Sequence, residues 1–200
     1  MGSYSKLRSG FARRAGGDTV VRITRRSARS YTIDGFVIAV GKKWVLLQRT
    51  MGGGFFDGHV AIRLSDVERV RDDTSFESRF ARTRPQWPPA APPLMRARDL
   101  DTTAGMLVSL LASDQLVAIE RSKSTGATWI GRPYALERKR FYLWEVNPQA
   151  EWHEEPLGYR LRSITTVVLN DHYQRGLGAI AGEPPVAAID SPWAQRATSA

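Results

Sequence analysis

Apolar residues along this chain recur at two spacings, and the alternation between them divides it into two similar runs. Near the N-terminus Tyr4, Leu7 and Phe11 stand at helical spacing and Gly16-Gly17 closes the segment, which predicts a short helix. The period then drops to two. Strands are expected at 20–24, 31–40, 43–50, 58–64 and 67–71, with Gly41-Lys42 as the hairpin turn between the second and third. Met51-Gly52-Gly53-Gly54 reads as a flexible loop. Leu64-Ser65-Asp66 is too short for a hairpin, so it bends one strand into the next, as small barrels do at their corners. The second run opens with a stripe of Leu100, Ala104, Leu107, Val108 and Leu111, a helix that Asp99 or Asp101 would cap. Strands are expected after it at 116–120, 128–136, 140–146, 157–161 and 164–169, with Asn147-Pro148-Gln149-Ala150 in place of the glycine loop.

The two runs also match in detail. Lys42-Lys43-Trp44-Val45-Leu46 reappears 97 positions on as Lys139-Arg140-Phe141-Tyr142-Leu143. The same shift pairs Ile33 with Ile130, Arg63-Leu64 with Arg160-Leu161, Val67 with Ile164 and Val70 with Val167. An ungapped register of this length predicts a duplicated unit, with 20–71 and 116–169 folding alike. Trp44 and Phe141 are then expected at equivalent core positions, with Leu46 and Leu143 on the same inward face. The expected fold class is mainly β: two tandem five-stranded bent-sheet barrels, each preceded by a short helix. Residues 1–82 would form the first barrel with its basic helix and 98–178 the second. Between them 83–97, with Pro85, Pro88, Pro89, Pro92 and Pro93, reads as a Pro-rich linker, extended and semi-rigid, with Trp87 packed on one barrel. Residues 179–200 are Pro-, Ala- and Ser-rich and read as a disordered tail, with Trp193 as a docking residue.

Composition narrows the setting. Apolar residues make up 42% of the chain and there are six Trp, enough to fill two small cores. The absence of cysteine excludes disulfides and thiolate metal sites and fits a reducing cytoplasm. No run of eighteen apolar residues occurs, so no transmembrane helix is expected. The basic N-terminus lacks the apolar centre of a secretory signal, and the expected location is cytoplasmic, with no membrane partner. The net charge of +9 is unevenly spread: Lys6, Arg8, Arg13, Arg14, Arg22, Arg25, Arg26 and Arg29 face Asp18 alone within the first thirty residues. Such clustering is the footprint of a nucleic-acid partner or, more simply, a solubilising arginine-rich face.

One helix followed by five short, strongly bent strands resembles the Sm-like (LSm) small β-barrel, in two tandem copies; SH3-like and Tudor-like barrels share the strand pattern. Gly35-Phe36-Val37-Ile38-Ala39-Val40 resembles the start of the first Sm signature. The second signature, an apolar-Arg-Gly corner followed by apolar residues at three-residue intervals, is matched by Ile62-Arg63-Leu64 with Val67 and Val70. Tyr159-Arg160-Leu161 with Ile164 and Val167 matches it again. Gly41 and Val45 stand where the family's pocket Asp and Asn are expected, and Leu64 and Leu161 replace the corner glycine. The resemblance therefore implies the fold and carries over only Arg63 and Arg160, as arginines that hold a base.

Two chemical groupings stand out. Arg63 and Arg160 sit one residue from a corner, where a guanidinium can stack on a base or grip phosphate. A structural arginine paired with Asp66 or Asp57 is the competing reading. Lys42-Lys43-Trp44 and Lys139-Arg140-Phe141 interleave cations with aromatics as backbone-tracking sites do, although Trp44 also suits a core. For catalysis the sequence offers little. His59, His153 and His172 lack ligand spacing, so no metal or cofactor is expected. Asp57-Gly58-His59 reads as a turn, Glu154-Glu155 point to opposite faces, and Gly52-Gly53-Gly54 lacks the Lys-Ser/Thr of a phosphate loop. The expected function is non-enzymatic binding of RNA or a ribonucleoprotein through Arg13, Arg14, Arg25, Arg26, Lys42, Lys43, Arg63, Lys139, Arg140 and Arg160. The alternative is a protein-interaction or self-associating module that uses open β-edges.

Overall fold

A computed structural model describes residues 3–92, 95, 97–122 and 126–197. Pro93 of the expected linker and residues 198–200 of the expected tail lie outside them. The chain is mainly β, with ten antiparallel strands, and divides into two compact units at Leu110/Leu111.

The first unit opens with α1 (Ser3–Arg14), whose Phe11 is fully buried while Tyr4 stays half exposed. Five strands follow: β1 (Val21–Arg25), β2 (Thr32–Val40), β3 (Trp44–Met51), β4 (Phe55–Arg63) and β5 (Val67–Asp72). They pair in the order β5-β1-β2-β3-β4, a meander whose last strand returns to the first. Leu64–Asp66 forms a single 3-10 turn at the expected corner. β2 crosses β3 so closely at Gly35 that any side chain there would strike the Gln48 carbonyl, and the strand bulges between Val37 and Ala39. A short helix, α2 (Glu77–Ala81), then covers one end of the core, where Ala81 joins Val20 and Phe36. Trp87 packs edge-on against Phe36, ring centroids 5.1 Å apart, so the Pro-rich segment lies against this unit.

The stripe expected to open the second unit instead completes the first, save for Leu111 at its end. It forms a 3-10 turn, Ala97–Asp101, and α3 (Thr103–Leu110). Leu100, Met106 and Leu107 are fully buried, whereas Val108 is half exposed. The 3-10 turn lies against β2 and β3 with Leu100 fully buried, and this contact rather than a capping Asp decides which unit owns the segment.

The second unit carries β6 (Val117–Arg121), β7 (Thr128–Leu136), β8 (Arg140–Glu145), β9 (Leu157–Arg160) and β10 (Ile164–Leu169), in the order β10-β6-β7-β8-β9. Its 3-10 turn is Leu161–Ser163. Strand pairing repeats that of the first unit with one offset. Val21 faces Gly35 as Val117 faces Gly131, a shift of 96, and Val45 faces Ile62 as Phe141 faces Tyr159. Beyond the β8–β9 loop the shift becomes 97, because one extra residue lies between Leu143 and Leu157 compared with Leu47 and Val60. Trp44 and Phe141 are both fully buried, but the register sets Phe141 at the place of Val45 and Arg140 at that of Trp44. The expected equivalence of Trp44 with Phe141, and of Leu46 with Leu143, is therefore corrected by one residue.

After β10 the chain is helical rather than a disordered tail. Asp171 caps α4 (His172–Ala181) by a reciprocal box with Gln174, and α5 (Val186–Ile189) and α6 (Pro192–Ala197) follow. Trp193 is 4% exposed; its ring meets Phe141 edge-on at 5.5 Å and its indole N–H donates to the Leu111 carbonyl. A single well-packed indole outweighs the polar composition around it.

Candidate nucleic-acid interface

In both units the turn between the second and third strands lies beside the 3-10 corner. Gly41 N–H donates to the Trp44 carbonyl (2.9 Å) as Glu137 N–H donates to that of Arg140 (2.8 Å). Leu64 N–H reaches the Lys43 carbonyl (2.9 Å) and Leu161 N–H that of Lys139 (3.0 Å). The scaffold is shared, and its occupants differ.

In the first unit the corner is closed by the chain itself. Leu100 sits against Gly41, where an added Cβ would lie 2.6 Å from that of Leu100. Asp101 accepts from Lys42 N–H (2.6 Å) and lies 3.3 Å from its ammonium, and Lys43 N–H donates to the Leu100 carbonyl (3.2 Å). Tyr4 donates its hydroxyl to the Lys42 carbonyl. Arg63 lies over the Trp44 ring, 4.8 Å from its centroid, and donates to the Thr103 hydroxyl (3.1 Å). Burial pulls its pKa below the ordinary arginine value, though a guanidinium remains charged at neutral pH. Arg49 approaches Asp57 at 3.5 Å, and Asp66 accepts from Ser27.

In the second unit the corner is open. Arg138, Lys139, Arg140, Arg160, Leu161 and Arg162 line a concavity of about 590 Å³. All five cations are exposed, and none forms an ion pair among the described residues. Arg140 and Arg160 are directly opposed across β8 and β9. Like charges so placed destabilise a sheet, so the arrangement runs against stability. Glu137, the nearest acid in sequence, accepts a hydrogen bond from the Tyr142 hydroxyl (3.1 Å).

The ten candidate residues therefore fall into different settings. Lys139, Arg140 and Arg160 come together at the open corner; Lys42 and Arg63 are engaged within the closed one, beside the exposed Lys43. Arg14 forms a two-pronged pair with Asp72, and Arg25, on β1 opposite Val67 of β5, is buried. Arg13 and Arg26 are exposed, and of the other N-terminal cations Arg22 pairs with Asp34 and Arg29 with Glu68. Arg138 and Arg162 lie outside the set expected from the sequence. Their signal was the unbroken run Arg138-Lys139-Arg140, which the 97-residue match cut by aligning Lys42 with Lys139.

Among the described residues no group of three or more His, Cys, Asp or Glu is placed to hold a metal ion, and no helix is long and apolar enough to cross a membrane. No protein-family model matches the chain, and no curated protein or solved structure is detectably similar to it.

Proposed function

We propose that this chain is a non-enzymatic cytoplasmic protein that binds single-stranded RNA, alone or within a ribonucleoprotein, through the open corner of its second unit. The observation that carries the reading is the set of five exposed cations around one concavity whose only other lining residue, among the described residues, is Leu161. Phosphates neutralise cations that are otherwise held together at a cost, and each neutralised charge releases a counterion. Lys6, Arg8, Arg13 and Arg26, exposed at the basic end, add long-range attraction. The strand order and the 3-10 corner ahead of the last strand support a tandem, duplicated Sm-like small barrel as the scaffold. The rival, a protein-binding module, draws on the strand edge at β5 in the first unit and at β9 in the second, and on the exposed Tyr173 and Ile180 of α4.

Anisotropy of labelled single-stranded RNA against salt tests the proposal. Five phosphate contacts give a slope of log affinity on log salt of about −3.5. Replacing Arg140 and Arg160 with Gln flattens it by about 1.4. A wild-type protein that fails to bind at low salt, where attraction is strongest, ends the RNA reading in favour of the protein-binding one.

A further inference from the structure

The first unit contains a worked example of what its corner accepts. The turn offers two main-chain N–H groups and one side-chain cation; the carboxylate of Asp101 takes the N–H and ammonium of Lys42, and the Leu100 carbonyl takes the N–H of Lys43. Register makes Glu137, Arg138, Lys139 and Arg140 the counterparts of Gly41, Lys42, Lys43 and Trp44. The two hydrogen bonds that shape the turn are kept. The N–H groups of Arg138 and Lys139 have no hydrogen-bond partner among the described residues.

We infer that the second unit seats one phosphate of an RNA backbone on the Arg138 N–H and guanidinium, at the place where the first unit seats the Asp101 carboxylate, with Arg140 and Arg160 holding the neighbouring phosphate. This rests on the RNA-binding reading and locates the contact within it.

Two differences between the corners select phosphate over an acidic peptide. Leu100 approaches the first turn only because Gly41 has no side chain, and Glu137 stands at that position in the second. A peptide backbone is held off, whereas a phosphate on a flexible sugar linkage projects its oxygens past the obstruction. The second difference is charge. One carboxylate meets Lys42 in the first unit, where Arg63 is satisfied by Trp44 and Thr103. In the second unit Arg140 replaces the aromatic ring, leaving two opposed guanidiniums and three further cations. That excess calls for several anionic groups in succession, which a phosphodiester chain supplies. Guanidiniums also match phosphate oxygens in two-pronged fashion.

The test uses the isotopically labelled full chain titrated with hexauridylate at low salt, read by amide chemical shifts. The amides of Arg138 and Lys139 move saturably while those of Lys42 and Lys43, already engaged, do not. Arg138→Gln weakens binding about tenfold, the loss of one charge-assisted hydrogen bond, while Arg79→Gln, at an exposed arginine of α2, changes it less than about twofold. RNA binding that leaves the 138 and 139 amides unmoved overturns this inference and leaves the RNA reading standing. No binding at all overturns both. An aspartate-rich peptide that binds as tightly as hexauridylate and moves the same amides overturns the choice of phosphate.

Discussion

Arg140 lies directly across β8 and β9 from Arg160, at the position where the first unit sets Trp44 across from Arg63. One substitution in an otherwise shared pairing turns a cation-over-ring contact into a pair of like charges. Relieving that repulsion should raise stability and weaken the proposed RNA binding together. Arg140→Thr is expected to stabilise the second unit by about 0.2–1 kcal/mol. Chemical denaturation measures the first effect and RNA anisotropy the second; a variant that loses stability would show that Arg140 has a structural partner.

Closure of the first corner depends on Leu100. Leu100→Ala should cost about 2–5 kcal/mol, as for other fully buried leucines. Gly41→Ala pushes the same contact from the other side and should cost about 1–3 kcal/mol by overpacking. Thermal unfolding of both variants checks the pair, and an unperturbed Gly41→Ala protein would mean that this turn is not pressed against Leu100.

The C-terminal segment makes an opposing test of composition against packing. Trp193→Ala should destabilise the second unit by about 3–5 kcal/mol, since the indole is buried against Phe141. A tail without fixed structure would give no change in the denaturation midpoint.

Glu145 and Tyr159 form a buried hydrogen bond, and burial holds the Glu145 carboxyl above the ordinary glutamate range although the tyrosine hydroxyl pulls it back. The folded state thus binds this proton more tightly than the unfolded one. Its contribution to stability is full below the unfolded value, about 4.3, and is lost as pH rises through the raised folded value. Glu145→Gln, which still accepts from the tyrosine, should be more stable than the parent at neutral pH, with the gap closing below about pH 4. Midpoints measured across that range decide it; a gap independent of pH would remove ionisation as the cause.

Much of the local structure was legible. The strands expected at 31–40 and 43–50 correspond to Thr32–Val40 and Trp44–Met51, and the corner at 64–66 is a 3-10 turn of those three residues. What escaped was set by burial on more than one side. Trp44 through Leu47 are all buried, so alternation cannot report which face of β3 is which. The same holds for the 97–110 segment, whose stripe announces a helix and is silent on which unit it covers. Helix α4 had a readable signal in the Asp171–Gln174 box and the spacing of Tyr173, Leu177 and Ile180. At the candidate site the cations were visible individually. Their grouping was not, because the extra residue between Leu143 and Leu157 offers no marker in sequence.

That extra residue makes any exchange between the two units a matter of parity. Grafting 44–49 onto 140–145 carries each side chain to the face it left, whereas the ungapped match, 44–49 onto 141–146, turns every one of them over. The loop after β8 thus behaves as a phase setting. Its extra residue is absorbed at the surface, so β8 and β9 each keep the facing of their counterparts while their numbering falls out of step by one.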